Sequence, residues 1–342
     1  MRALYLMTAP PPAIEGTDAV VQEAEMLRSR LGGERVHLAL SSRPWSRYPR
    51  PLYGLQKLLT VKRLERQVDL HHIYHAELFP FPVLRLLAKP VVYTVVSGLN
   101  DSRDVPHWLL DRLGAIVVPS HRDLERLQRQ GSDRGHVLPA GIDLSRYEEK
   151  PTPADDPFVL LAGSAPWTEA QFETKGTNAL LDVAQQIPSL RLVFLWRGWL
   201  LEGLRQRLAL RGLSDRVEIL TERADVNEVL GGVHAAVVLA AERKLVKAYP
   251  HSLLEALACG RPVLVSDCIA LADSVRENRC GRVVKGVSRS DLLRGIQAVR
   301  EDYGRLQENT RRVAERDFSQ ERLVDAYRQL YESVLGPRSS GE

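Results

Sequence analysis

The stretch Tyr249-Pro-His-Ser-Leu-Leu-Glu-Ala-Leu-Ala-Cys-Gly-Arg-Pro-Val-Leu-Val-Ser-Asp267 reads as a loop, a short apolar helix opened by Ser252, a glycine stop at Gly260 and a buried strand. The first turn of a helix leaves backbone amides without acceptors and carries partial positive charge, so this junction suits a phosphate. His251, Ser252 and Leu253 stand at that turn. Glu255, one turn further on, has two readings. It accepts hydrogen bonds from the hydroxyls of a ribose joined to that phosphate, or its carboxylate reaches back to the Ser252 amide as a capping box. Spacing alone favours neither.

On either side, short apolar runs alternate with amphipathic ones. In the second half the runs fall at 158–162, 191–196, 217–220, 235–239 and 262–266, with helices predicted at 176–186 and 200–211. In the first half they fall at 2–7, 35–40, 71–74, 90–95 and 115–119. A helix at 17–31 places Val20, Ala24, Leu27 and Leu31 on one face before Gly32-Gly33 ends it. Continuous Val, Ile and Leu separated by helices predict parallel sheets covered on both faces. The polar, proline-rich residues 148–157 cannot continue a sheet interior and read as a linker. The expected domains are therefore 1–150 and 151–318, each Rossmann-like, followed by a helix at 319–335 and a loose polar tail at 336–342. In that last helix Leu323, Tyr327, Leu330 and Val334 form one stripe.

With 342 residues, 44% hydrophobic and 26% charged, the chain has the composition of a folded protein rather than a disordered one. Its net charge of +4 favours anionic partners without pointing to nucleic acid. Between Arg43 and Arg66 lie Arg47, Arg50, Lys57, Lys62 and Arg63 against Glu65 alone, interleaved with Trp45, Tyr48 and Tyr53. That run suits a peripheral membrane surface or an acidic acceptor, and equally a solvated basic helix. Cys259, Cys268 and Cys280 form no CxxC pair, so neither a zinc site nor a disulfide framework is expected. The opening strand is wrongly flanked for a signal peptide, and no apolar run approaches the roughly 18 residues of a membrane span. The expected location is the cytoplasm, at most peripheral at the inner membrane face.

Residues 250–267 resemble the donor-site motif of the family 4 glycosyltransferases. So do Val117-Val-Pro-Ser-His121 through Gly131 and His136-Val-Leu-Pro-Ala-Gly-Ile-Asp-Leu-Ser-Arg-Tyr147, which are similar to the segment closing the family's first domain. Lys175-Gly176 resembles its phosphate-site pair after a strand. The resemblance implies an α/β GT-B fold, two Rossmann-like doubly wound parallel-sheet domains facing across a cleft, with the terminal helix crossing back onto the first. It implies a retaining, metal-independent, hexosyl-type glycosyltransferase with no cofactor. Its co-substrate is a nucleotide-diphospho-sugar donor, and its acceptor is a glycan, a lipid-linked species or a small molecule held by the first domain.

Under that resemblance Lys175 is the point charge on the diphosphate, beside Gly163 and Ser164 at the end of the run 158–162. Arg197 is a candidate second cation, and the backbone at Thr221 and Glu222 frames the nucleobase. Gly16 and Thr17, after the opening strand, resemble the acceptor-side loop, where glycine permits close approach of backbone to ligand. His71, clustered with His72 and His75, is a candidate substrate contact. The family pattern breaks at three positions: Lys247 stands where a glutamate is usual, eight residues before Glu255, Ser164 replaces an arginine, and Val96 replaces a histidine. Lys247 is a candidate catalytic cation that restores part of the missing arginine's charge on a departing phosphate or holds an acidic sugar. No serine or cysteine has nucleophile-elbow surroundings, which disfavours a hydrolase. An epimerase of the same fold, or a non-catalytic relative that binds glycan or a partner, are the rival readings.

Overall fold

Six strands pair in parallel within the first half of the chain, and six more within the second. The computed structural model describes residues 1–9, 11, 18–39, 49–99, 104–196, 199–222 and 224–336. Contacts divide the chain into two units, Met1–Ala140 with the last helix from Glu321, and Gly141–Gln320.

The first unit holds β1 (Ala3–Met7), β2 (Gly33–His37), β3 (Leu70–His75), β4 (Val91–Val95), β5 (Ala115–Val118) and β6 (Gly135–Val137), in the order β2-β1-β3-β4-β5-β6. Tyr5 lies opposite His72 and Ile73 opposite Tyr93. Side chains alternate across the sheet: Leu4, Leu6, Ile73 and Tyr93 enter one apolar cluster, while Ala3, Tyr5, Met7 and Val92 enter another on the opposite face. With both faces covered, strands such as β1 and β5 read as unbroken apolar runs.

Strand β2 starts two residues earlier than the run 35–40 suggests, because Gly33 belongs to the sheet. Its φ is +128°, and a Cβ there would lie 1.9 Å from the Ala3 carbonyl oxygen, so only glycine can seat the strand against β1. Gly32 alone ends α1 (Ala19–Leu31), whose start is fixed by the Asp18 carboxylate accepting from the Val20 and Val21 amides. The unit is completed by α2 (Leu58–Glu65), α3 (His107–Arg112), α4 (His121–Arg129) and the closing helix Gln320–Leu335. That closing helix packs Leu323, Tyr327, Leu330 and Tyr331 into the cluster of Tyr5 and Val92. Buried polar contacts pin it: the Tyr331 hydroxyl meets His72 Nδ1 at 2.5 Å, and Thr94 Oγ1 meets both His72 Nε2 at 2.7 Å and the Tyr327 hydroxyl at 2.8 Å.

The second unit holds β7 (Phe158–Ala162), β8 (Leu190–Leu195), β9 (Val217–Leu220), β10 (Ala235–Val238), β11 (Val263–Ser266) and β12 (Gly281–Val284), in the order β12-β11-β10-β7-β8-β9. Its helices are α5 (Gln171–Thr174), α6 (Thr177–Gln186), α7 (Leu201–Arg211), α8 (Val226–Gly231), α9 (His251–Ala258), α10 (Leu271–Asn278), α11 (Arg289–Glu301) and α12 (Tyr303–Asp317). Residues 141–150, read from the sequence as the end of the first domain, belong here. Ile142 bridges Ser319, the Lys150 amide donates to the Cys259 carbonyl, and the Arg311 guanidinium donates to the carbonyls of Tyr147 and Ala258. Among the described residues, no helix is long and apolar enough to cross a membrane.

Candidate functional site

The carboxyl edge of the second sheet gathers the residues singled out around phosphate. Strand β7 exits through Gly163, where a Cβ would lie 2.5 Å from Ser252 Oγ, so the absence of a side chain lets the strand end touch the first turn of α9. The helix does not open as the sequence suggested. Its N-cap is Pro250, in extended backbone, and Ser252 lies one residue inside the first turn. Pro250 carries no N–H, so the reciprocal capping box between Ser252 and Glu255 is not what starts this helix.

Of the first-turn amides, Leu253 donates to the Pro250 carbonyl at 3.0 Å, and the Leu253 side chain is fully buried. The amides of His251 and Ser252 have no acceptor among the described residues, and these two rather than Leu253 are left to meet an anion. Glu255 is half-buried, and its Oε1 accepts from the Tyr147 hydroxyl at 2.8 Å. Burial first, then the neighbouring Glu255 carboxylate, pushes the Tyr147 phenol far above its ordinary range, so it stays a donor.

Lys175 is 7% exposed, not the surface lysine its position before a helix also allows. Its Nζ donates to Ser164 Oγ at 3.1 Å and to the Ala165 carbonyl at 3.2 Å. Ser164 holds a left-handed φ of 68°, a sparsely populated state for a residue with a Cβ. Burial pulls the Lys175 ammonium down to about 8. Two anion-friendly features thus face one strand exit: a desolvated ammonium on one flank and two acceptor-free amides on the other, joined through Gly163 and Ser164.

Lys247 is half-buried four residues before His251. Burial, and then the Lys247 charge, hold the His251 imidazole down at about 3, so the ring is neutral. His251 Nε2 is shut off from solvent and has no hydrogen-bond partner among the described residues. Thr221 and Glu222 follow β9 with both side chains exposed. Gly16, Thr17 and Arg197 lie outside the described residues, as do Arg43 and Arg47 of the basic run.

His71 requires correction. It lies on β3, fully buried, with Nε2 2.7 Å from Glu65 Oε1, and a side chain with no exposed surface touches no substrate. Glu65 also accepts from Lys62 Nζ and from the amides of Ala88 and Lys89, so His71 belongs to a strut inside the first unit. His75, its companion in the sequence, meets the Glu77 carbonyl through Nδ1 at 2.7 Å. Tyr147 went unremarked as a site residue: it follows the Ile-Asp-Leu-Ser-Arg segment, but nothing local ties it to Glu255.

Family models match both halves of the chain. The model of the glycosyl transferases group 1 matches residues 151–317, and that of glycosyltransferase family 4 matches residues 18–146. O-antigen chain mannosyltransferase C of Escherichia coli is 24% identical over 315 residues, covering 84% of this chain and 81% of its own. D-inositol 3-phosphate glycosyltransferase of Nocardia farcinica (strain IFM 10152) is 29% identical over 210 residues, covering 57% of this chain and 46% of its own. HepE of Anabaena, solved in complex with UDP, shares the fold with a TM-score of 0.73 at 15% identity, covering 97% of this chain and 100% of that one. The two parallel sheets are those of the GT-B glycosyltransferases, and the chain belongs to family 4, the group 1 glycosyl transferases.

Proposed function

We propose that this glycosyltransferase takes a hexosyl group from a nucleotide-diphospho-sugar and passes it, with retention of configuration, to an acceptor hydroxyl of a glycan, a lipid-linked species or a small molecule. The observation that carries the donor class is the meeting of Gly163, Ser164 and Lys175 with the acceptor-free amides of His251 and Ser252. A diphosphate set there has a fixed cation on one flank and a helix N-terminus on the other. HepE, of the same fold, holds UDP in one structure and UDP-glucose in another, which supports the same ligand class here.

In the proposed reaction, negative charge builds on the diphosphate as the bond to the sugar breaks. Lys175 and the α9 amides are already oriented towards that charge, so they stabilise it without reorganising. This assigns the neutralisation of the leaving group to protein cations rather than to a metal, with Lys247 as a further cation near the sugar. Glu255, positioned by Tyr147, takes the ribose hydroxyls in this reading. The backbone after β9 at Thr221 and Glu222 takes the base. The first unit is assigned the acceptor.

A thermal-shift panel of UDP-, GDP-, ADP- and TDP-sugars tests the donor class, since a ligand that binds only the folded state raises its stability with the logarithm of concentration over Kd. The anomeric configuration of the product, read by NMR, tests retention. No response to any of the four, at millimolar concentrations, would remove the diphosphate reading.

A further inference from the structure

The basic run of the first unit is only partly a solvated helix face. On α2, Val61 is fully buried and Glu65 nearly so, which fixes the inward side. Leu59, Lys62, Arg63 and Arg66, at helical spacings of three, four and seven from Leu59, share the outward side. Leu59 is 88% exposed there.

Two more exposed leucines stand on adjoining turns. Leu52, 39% exposed, ends the short helical turn Arg50–Leu52, and Leu86, 45% exposed, ends the turn Pro82–Leu86, which packs against it. The surface is held rigidly from beneath. Tyr53 stacks on Phe81, the Ala88 and Lys89 amides bind Glu65 Oε1, and Arg112 donates to the carbonyls of Leu84, Leu87 and Lys89. Charge surrounds the leucines with one sign. Residues 51–66 and 80–90 carry Lys57, Lys62, Arg63, Arg66, Arg85 and Lys89 against Glu65 alone, and that carboxylate is turned inward to His71 and the two amides, with Lys62 paired to its second oxygen.

We infer that this outward face, built from α2 and the turns ending at Leu52 and Leu86, docks onto an anionic lipid surface. Exposed leucines by themselves would suit any apolar partner, and cations by themselves any polyanion. Leucines that project from a rigid platform between arginines and lysines, with no outward carboxylate in these segments, suit a bilayer: the leucines enter the boundary of the acyl region and the cations meet headgroup phosphates.

The test is co-sedimentation of the full chain with vesicles of phosphatidylcholine alone and of phosphatidylcholine mixed with phosphatidylglycerol. Binding to the mixed vesicles is expected, weakening as salt is added. Arg63→Ala and Arg66→Ala should each weaken it about fivefold, the effect of roughly 1 kcal/mol per basic residue at such a surface. Leu59→Ser should weaken it about tenfold through the lost apolar contact. All three side chains are exposed or outward, so the thermal midpoint should not move, which separates lost docking from lost folding. Equal binding to both vesicle types, or no binding to either, overturns the inference. So does a result in which the arginine variants lose binding while Leu59→Ser retains it, because that pattern belongs to a general polyanion surface such as one for RNA.

Discussion

Lys175 sits where desolvation opposes its charge and a bound anion would favour it. With its ammonium pulled down to about 8 by burial, nucleoside diphosphate binding should weaken as pH rises through that value. Above it, binding should draw a proton from solution, measurable by calorimetry in buffers of differing ionisation enthalpy. The free protein follows the opposite sign in stability. Between pH about 8 and the unfolded lysine value of about 10.4, the unfolded chain holds a proton that the folded chain lacks, so this residue makes stability rise with pH across the window. Lys175→Ala should cost donor affinity roughly ten- to a hundredfold, the worth of a charged hydrogen bond at about 1.5–3 kcal/mol. Gly163→Ala tests the neighbouring contact. Its new methyl must displace Ser252 Oγ from 2.5 Å, so donor affinity should fall, and adding Ser252→Ala should recover part of it, by titration of the double variant. Both Lys175 and Gly163 were legible in the sequence, because a turn between an apolar run and a helix marks a carboxyl edge whatever the tertiary detail. The left-handed backbone of Ser164 and the arrival of Tyr147 on Glu255 were not, since each depends on chain brought in from elsewhere. His71 misled because a histidine on a central parallel strand is buried by the sheet, whichever face it points to.

At the level of elements, the closing helix is held by hydroxyls as well as by apolar area. Tyr331→Phe keeps the ring but leaves His72 Nδ1 without its partner, a buried loss of about 1–3 kcal/mol that denaturant unfolding followed by circular dichroism should detect. His72 itself is kept neutral, its imidazole lowered to about 3 by burial. As pH falls below about 6.5 the unfolded chain takes up a proton that the folded one refuses, so stability should decline steadily from there towards pH 3. A denaturation midpoint unchanged between pH 7 and pH 4.5 would contradict a neutral buried His72. Interior strands such as β7 and β10 could be read to within a residue, because they are short unbroken apolar runs. The edge strands β6 and β12 could not: each is three or four residues long, with Arg282 and His136 facing partly outward. The helices α11 and α12 were missed for a related reason, since their charged outer faces dilute the apolar stripe formed by Leu292, Ile296 and Val299 in one and Leu306 and Val313 in the other.

For the whole molecule, two Rossmann-like units follow from the alternation of runs, while the boundary between them does not. The linker composition points to residue 150, whereas the backbone joins the second unit ten residues earlier through Ile142 and Tyr147. All strands from β7 to β12 find their partners within Gly141–Gln320, so that segment expressed alone should unfold cooperatively and still bind a nucleoside diphosphate. A fragment that stays unfolded, or folds without binding, would move the donor site out of this unit.

The closing helix also dictates an order of assembly. Leu323, Tyr327, Leu330 and Tyr331, which cover one side of the first sheet, are synthesised after every residue of the second unit. On the ribosome, the sheet that begins at Ala3 therefore waits with an apolar flank uncovered while the later unit matures, and is sealed only when the final turns emerge from the exit tunnel. The first unit, most of it made before the second, is thus finished after it, and the interval before it is sealed is when a chaperone would be most needed.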